Sequence, residues 1–451
     1  MNPAPPWVPP RATGPIDAVV TLPGSKSLTN RFLVLAALAD DVSRLRRPLR
    51  SRDTLLMAAG LRGLGTKLTD HGPDDGRERR DPVAEAVDRA DRAPDADWIV
   101  TPRPMTGGTT IDCGLAGTVM RFLPPVAALA DGPVRFDGDE QARRRPMGAG
   151  LESLRALGVR VETASGTASM PFTVHGNGRV RGGEVRLDAS ASSQFVSALL
   201  LAGARFDEGV VVVHDGPSVP SAPHITMTVE VLRDAGVPVD DAEPNRWVVE
   251  PTGVHALDVQ VEPDLSNAAA FLAGAMVTGG RVHVPGWPQH TTQAGDAIRD
   301  IFDAMGGDVV LSREGLTVTG PDRVNGLDVD LHDVGELTPV VAAVAALADS
   351  PSWLRGVAHL RGHETDRLTA LSTEITRLGG QVQVLDDGLH ICPRPLTGGL
   401  LATYDDHRMA MAATVLGLVV PGIAVANVET TSKTLPDFTR RWEAMVNGVA
   451  K

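Results

Sequence analysis

The chain has 451 residues, 42% of them apolar and 22% charged, as expected of an ordinary soluble globular protein of roughly two to three domains. A net charge of −13 argues against nucleic acid as a general partner, and two cysteines make neither a disulfide framework nor a metal cluster. No apolar run approaches the roughly 18 residues of a membrane span, and the Pro-rich start "MNPAPPWVPPRATG" lacks the pattern of a signal peptide, so a cytoplasmic location is expected.

The first predicted helix opens at "LPGSKSLTNR" (Leu22 to Arg31) and runs into "FLVLAALA". A nucleotide P-loop needs glycine directly before the lysine, and Ser25 stands there instead. Two readings remain for this stretch: Ser25 or Ser27 caps a helix, or the glycine, hydroxyls and lysine form another anion site. Lysine is scarce here. Only Lys26, Lys67, Lys433 and Lys451 stand among 43 basic residues. An ammonium can lose a proton when buried and a guanidinium cannot, which draws notice to a lysine kept among hydroxyls.

A second helix, "LLMAAGLRGLGTKL" (Leu55 to Leu68), ends on glycine and gives way to an alternating strand. The stretch from Asp70 to Asp97 is charged, with Gly and Pro, and reads as an exposed loop or insertion. The two-helix unit then recurs. First helices follow at "DCGLAGTVMRFLPPVAALA" from Asp112, "DASASSQFVSALLLAGA" from Asp188, "PDLSNAAAFLAGAMVTGG" from Pro263, "DVGELTPVVAAVAALA" from Asp333 and "DDHRMAMAATVLGLVV" from Asp405. Second helices follow at Gly150 to Glu162, Met227 to Val239, Ala297 to Val310 and Leu368 to Val384. Strands such as "VVVVH" (Val210 to His214) and "LDVQVE" (Leu257 to Glu262) lead into the first helices. Each of six repeats thus reads β-α-β-α-β-β in an α/β chain.

The first helices are nearly free of charge after a polar first turn, so they are predicted to be buried. Six such helices offer six N-termini with unpaired N–H groups and positive dipole ends. Gathered in threes, these ends attract anions without any metal.

The polar signals carry the reactive groups. "SASSQ" offers Ser190, Ser192, Ser193 and Gln194, which suit redundant capping or a poly-oxygen ligand. "DEQARRRPMG" (Asp139 to Gly148) clusters three arginines, two read as solvated and one as an anion clamp at a helix start. The Glu364–Arg367 spacing in "GHETDRL" fits a common surface pair. "YDDHRMAMAA" (Tyr404 to Ala413) sets Asp, His and Arg against a helix with no wet face, and "TTSKTLPDF" (Thr430 to Phe438) repeats hydroxyl–lysine–hydroxyl. Arg/Lys clamps, two carboxylates and many hydroxyls, without metal-ligand spacing, fit transfer chemistry between two anionic small molecules.

"LPGSKSLTNR", "GLAGTVMRF", "RPM", "SASSQF", "HETDR", "DDHRMAM" and "SKTLPDF" together, in this order from about residue 20 to 443, resemble the 5-enolpyruvylshikimate-3-phosphate synthase family of enolpyruvyl transferases. The resemblance implies a two-domain inside-out α/β barrel, three repeats per domain. One domain covers 22–263, with an insertion at about 70–97. The other joins 1–21 to 264–451, with hinges near 22 and 264. It implies a monomer without cofactor or metal that transfers the enolpyruvyl group of phosphoenolpyruvate to the 5-hydroxyl of shikimate 3-phosphate through a tetrahedral intermediate.

In family terms Lys26, Ser27, Arg31, Ser192, Ser193, Gln194, Ser221, Glu336, His359 and His363 bind shikimate 3-phosphate. Lys26, Gly117, Arg145, Gln194, Arg367, Arg408 and Lys433 bind phosphoenolpyruvate. Glu336 orients or deprotonates the 5-hydroxyl, and Glu364 and Lys26 are the candidates for moving the methylene proton. The chain departs from the commonest family pattern at Leu115, Phe122 and Glu336, and at His224, where a Tyr often packs. His359 and His363 replace Asn and Lys, and are expected to give phosphate binding a pH dependence near neutrality. Two alternatives are weighed. UDP-N-acetylglucosamine enolpyruvyl transferases usually have a reactive Cys in the loop here written "DEQARRRPMG", which has none. A non-catalytic substrate-binding homologue predicts a missing acid, base or clamp, and none of these is missing.

Overall fold

The computed structural model describes residues 5–71, 96–164 and 168–448. Residues 72–95, most of the charged insertion, lie outside them. The stretch read as a loop begins and ends inside strands, because Asp70 pairs with Trp98 in an antiparallel ladder.

Two compact units emerge: Gly24–Val261, and Met1–Pro23 together with Glu262–Lys451. In the first, three four-stranded sheets share one plan. Strand Thr109–Asp112 runs parallel to Asp131–Asp137, and Phe172–Asn177 and Arg160–Thr163 continue antiparallel. The parallel pair is joined through the helix Gly117–Ala127, as parallel neighbours require a crossover. The sheet holding Ser43–Arg46 obeys the same plan with a borrowed part. Its parallel partner, Asp258–Gln260, comes from the far end of the unit. The other unit borrows likewise: Asp17–Val19 runs parallel to Arg281–Pro285. These two loans explain why the chain passes from one unit to the other at Pro23–Gly24 and at Val261–Glu262.

Among the described residues two sheets of the second unit keep four strands, and the sixth keeps Leu400–Leu401 and Ala424–Val425 alone. Trp7 adds a single antiparallel bridge to Val425. The sixth repeat therefore departs from β-α-β-α-β-β, because no strand follows the helix Phe438–Val446 among the described residues.

The first helices are buried along almost their whole length. Ala and Gly let them approach closely. In the unit Gly24–Val261 the helices Lys26–Leu38, Gly117–Ala127 and Gln194–Gly203 pack on one another in a single apolar core. Leu265–Thr278, Thr338–Ala345 and His407–Val419 do so in the other. Strands such as Phe172–Asn177 lay alternate side chains on the core. The second helices stop at glycines in the left-handed region, among them Gly158 (φ 85°) and Gly379 (φ 96°), where a Cβ is costly. Among the described residues no helix is long and apolar enough to cross a membrane, and no group of three or more His, Cys, Asp or Glu could hold a metal ion.

Candidate active site

The sequence places polar residues in the first turns of buried helices, and burial forces those turns to satisfy one another. In the unit Gly24–Val261 three of these helices are cross-linked near their starts. Asn30 Nδ2 donates to Thr118 Oγ1 at 2.8 Å, and Arg121 Nη1 donates to Gln194 Oε1 at 3.0 Å. Arg31 Nη2 reaches Ser197 Oγ at 3.5 Å. Three helix N-termini, with their positive dipole ends, therefore meet.

Ser25 is the residue that caps the first helix, accepting from the Leu28 amide at 3.5 Å. Lys26 lies 3.5 Å from Asp53, a carboxylate only 2% exposed. Arg31 is fully buried. Its Nε donates to Thr228 Oγ1 at 2.8 Å, Nη1 to the Ser27 carbonyl at 3.0 Å and Nη2 to the His224 carbonyl at 2.8 Å. All these acceptors are neutral. Burial lowers the Arg31 pKa to about 9, which leaves the guanidinium charged at neutral pH. A buried cation held by neutral acceptors is prepared for an anion. Ser221, at φ 54°, accepts from the His224 amide at 3.0 Å and so starts the helix that carries His224 and Thr228.

Gly117 opens its helix against two guanidiniums. A Cβ there would lie 2.9 Å from Arg121 Nη1 and 3.1 Å from Arg145 Nη1. Of the three arginines before Pro146, Arg143 and Arg144 are exposed and pair with Asp137 and Glu140. Arg145 differs. Its Nε and Nη1 are buried without a hydrogen-bond partner among the described residues. Ser192 Oγ accepts from the Gln194 amide at 3.3 Å, and Ser193 is buried beside it.

The other unit repeats the motif of meeting first turns. Arg408 Nη1 donates to the Ser266 carbonyl at 2.8 Å, and Ser266 Oγ donates to Glu336 Oε1 at 3.4 Å. Burial lowers the Arg408 pKa, against the pull of Asp264 and Glu336. Arg367 sits between two carboxylates. Its Nε and Nη2 reach Asp406 at 2.8 and 3.2 Å, and Nη2 reaches Glu364 at 3.0 Å. Burial opposes its charge, but Asp406, Glu364 and Glu336 outweigh burial and raise the pKa. Lys433 Nζ bonds the other oxygen of Glu364. The Glu364–Arg367 pair, which by spacing alone reads as a surface feature, is 9% and 3% exposed.

The histidines correct one expectation. His359 packs near His332 and His363, with ring centroids 5.8 Å away in each case. Burial, then His332, push its pKa down to about 4. His359 by itself is therefore neutral at physiological pH, which argues against this residue as the source of a pH dependence near neutrality. His363 Nδ1 lies 3.3 Å from Arg367 Nη1.

The structure thus gathers Lys26, Ser27, Arg31, Gly117, Arg145, Ser192, Ser193, Gln194 and Ser221 in one unit. It gathers Glu336, His359, His363, Glu364, Arg367, Arg408 and Lys433 in the other. Sequence reasoning assigned no role to Asp53, Arg121, Asp406 or the Ser197–Thr228 pair. Arg121 had a signal, a lone charge inside an apolar helix. Asp53 had none, since an acid in a first helical turn is ordinary.

Comparisons with known proteins bear on the family and the fold. A family profile described as "EPSP synthase (3-phosphoshikimate 1-carboxyvinyltransferase)" matches residues 10–442. A Kocuria rhizophila protein named 3-phosphoshikimate 1-carboxyvinyltransferase is 56% identical over 440 residues, 97% of this chain and 95% of its own. Among solved structures, an EPSP synthase from Acinetobacter baumannii superposes with a TM-score of 0.76 at 23% identity, covering 97% of this chain and 96% of its own. The enolpyruvyl transferase NikO from Streptomyces tendae gives 0.72 at 18% identity, with 96% of each chain covered. At those identities the two structures support the fold alone. The profile and the close relative together carry the assignment: this chain belongs to the EPSP synthase (3-phosphoshikimate 1-carboxyvinyltransferase) family.

Proposed function

We propose that the protein is a 3-phosphoshikimate 1-carboxyvinyltransferase of the shikimate pathway. It joins the 5-hydroxyl of shikimate 3-phosphate to the enolpyruvyl carbon of phosphoenolpyruvate and releases phosphate. The observation that carries this reading is that each unit holds a cluster of buried cations, in a chain whose close relative bears that activity in its name. One includes the buried Arg31 with its neutral acceptors. The other is the cluster of Arg367, Arg408 and Lys433 with Glu364. Each unit is read as an inside-out α/β barrel, its helices central and its sheets peripheral.

Ser27, Arg31, Ser192, Ser193, Gln194 and Ser221 hold shikimate 3-phosphate. Glu336 faces its ring, with His359 and His363 beside it. A neutral His359 serves there as a hydrogen-bonding group rather than a cation. Gly117, Arg145, Gln194, Arg367, Arg408 and Lys433 hold phosphoenolpyruvate, and Lys26 serves both substrates. Guanidiniums suit phosphate and carboxylate because their fork matches two oxygens at once.

The reaction follows from these roles. Glu336 draws the proton from the 5-hydroxyl as its oxygen bonds C2 of phosphoenolpyruvate, and an acid protonates C3, giving a tetrahedral adduct. Phosphate then leaves C2 with its bonding pair, and C3 returns its proton to restore the double bond. An anion arriving at Arg367 and Lys433 takes donors now engaged by Glu364, and that frees the carboxylate for proton transfer at C3. Lys26 is the other group able to carry that proton. Mass spectrometry of shikimate 3-phosphate incubated with phosphoenolpyruvate tests the reading. The wild type forms the enol ether, and Lys26→Arg, which keeps the charge but cannot give up its proton, forms it about 100-fold more slowly. Unchanged shikimate 3-phosphate in the wild-type reaction would overturn the reading.

A further inference from the structure

Glu374 is buried on the helix Arg367–Arg377, and its carboxylate is fully engaged. Tyr404 Oη donates to Oε1 at 2.7 Å, the Ala402 amide donates to Oε2 at 3.1 Å, and Arg377 Nη1 donates to both oxygens at 3.0 Å. Glu374 follows Arg367 by two helical turns, so both side chains leave the same face of the helix. They grip one segment at two points. Arg367 holds Asp406, and Glu374 holds Ala402 and Tyr404.

Between these holds the backbone does something uncommon. Tyr404 and Asp405 are both left-handed, with φ of 55° and 56°. A residue with a Cβ seldom takes that conformation, and two in succession must be held there by their surroundings. A third hold comes from another segment. Asn427 Nδ2 donates to Asp405 Oδ1 at 2.6 Å, and Thr430 Oγ1 donates to the Asp405 carbonyl at 2.8 Å. Thr430 lies in the 3₁₀ turn Val428–Lys433, whose last residue bonds Glu364. Directly after the left-handed pair, Asp406 caps the helix His407–Val419 through the Arg408 amide at 2.8 Å.

We propose that Tyr404 and Glu374 are positioning residues for phosphoenolpyruvate. They hold the left-handed turn at Tyr404–Asp405, which aims Asp406 at Arg367 and sets Arg408 in its buried first turn. Neither touches the substrate. The proposal rests on the assignment of Arg367, Arg408 and Lys433 to phosphoenolpyruvate.

Steady-state kinetics with both substrates varied, together with thermal unfolding, test it on three variants of the full chain. Tyr404→Phe removes the phenol hydroxyl from Glu374 and is expected to raise KM for phosphoenolpyruvate about tenfold, the scale of a hydrogen bond to a charged group. KM for shikimate 3-phosphate should stay within about twofold, a split that a merely structural role would not produce. Thr430→Val, which loosens the same turn at the Asp405 carbonyl, should reproduce the split even if Tyr404→Phe fails to fold. Arg408→Gln is the reference. If it leaves KM for phosphoenolpyruvate unmoved, the clamp assignment fails and this proposal with it. If Arg408→Gln raises that KM while Tyr404→Phe and Thr430→Val do not, the positioning proposal alone is overturned. A parallel rise in both KM values with a lowered Tm also overturns it.

Discussion

Arg367 grips Asp406 with two parallel hydrogen bonds, 2.8 and 3.2 Å long, and neither side chain is more than 3% exposed. This pair joins the start of one helix to the cap of another. Removing Asp406 leaves Arg367 with Glu364, a carboxylate it shares with Lys433, so the buried cation is under-compensated at a cost of about 3 kcal/mol, the lower end for a broken buried pair. Asp406→Ala is therefore expected to lower the unfolding free energy by about that much and to raise KM for phosphoenolpyruvate, read by thermal and urea unfolding beside kinetics. A variant of wild-type stability would mean that Glu364 alone is a sufficient counter-charge for Arg367.

In the proposed assignment Arg31 serves the other substrate. Its three short hydrogen bonds go in three directions from one planar fork, to Thr228, Ser27 and His224. A lysine ammonium keeps the charge but cannot span that geometry. Arg31→Lys should raise KM for shikimate 3-phosphate about 10- to 150-fold, the range for lost hydrogen bonds to a charged group. KM for phosphoenolpyruvate should change little. An unchanged KM for shikimate 3-phosphate would show that only charge matters at this position.

Gly117 bears on inhibition. Glyphosate is longer than phosphoenolpyruvate, and a small residue leaves it room. An added Cβ would press on Arg121 and Arg145 at 2.9 and 3.1 Å. We expect competitive inhibition against phosphoenolpyruvate, with Gly117→Ala raising the inhibition constant about 10- to 200-fold, the worth of one methyl in a tight pocket. The rise in KM for phosphoenolpyruvate should be much smaller. Equal rises in both constants would contradict the idea that the glycine selects by length.

His359 makes a stability prediction. Burial, then His332, push its folded-state pKa down to about 4, while Glu336 pulls the other way and Arg367 adds to the fall. Unfolded, it titrates near 6.5. Its contribution to stability is present above about 6.5 and is lost progressively as pH falls from there to about 4. His359→Gln should therefore lose less Tm than the wild type between pH 7 and pH 4.5. Parallel Tm curves would mean that the imidazole is protonated as easily folded as unfolded.

Much of this was legible in the sequence because burial is written in composition. Helices such as Leu265–Thr278 and His407–Val419 lack charge after the first turn, and that absence marks them as core. Their polar starts mark the turns that cross-link, and the reading of Arg145 as the odd one among three arginines fits its buried, unpaired guanidinium nitrogens among the described residues. What stayed hidden depends on distance along the chain. Asp53 meets Lys26 only because two helices pack, and Glu374 meets Tyr404 across 30 residues. The loan of Asp258–Gln260 to the first sheet has no local signal at all. His359 looked like a switch near neutrality, because a sequence does not carry the burial that lowers its pKa.

The central claim is the choice of acceptor, and phosphate release tests it most directly. Purified enzyme with phosphoenolpyruvate should release phosphate when shikimate 3-phosphate is present, at a rate that saturates in both substrates. UDP-N-acetylglucosamine in its place should give no release above background. Release with UDP-N-acetylglucosamine, or none with shikimate 3-phosphate, would contradict the account.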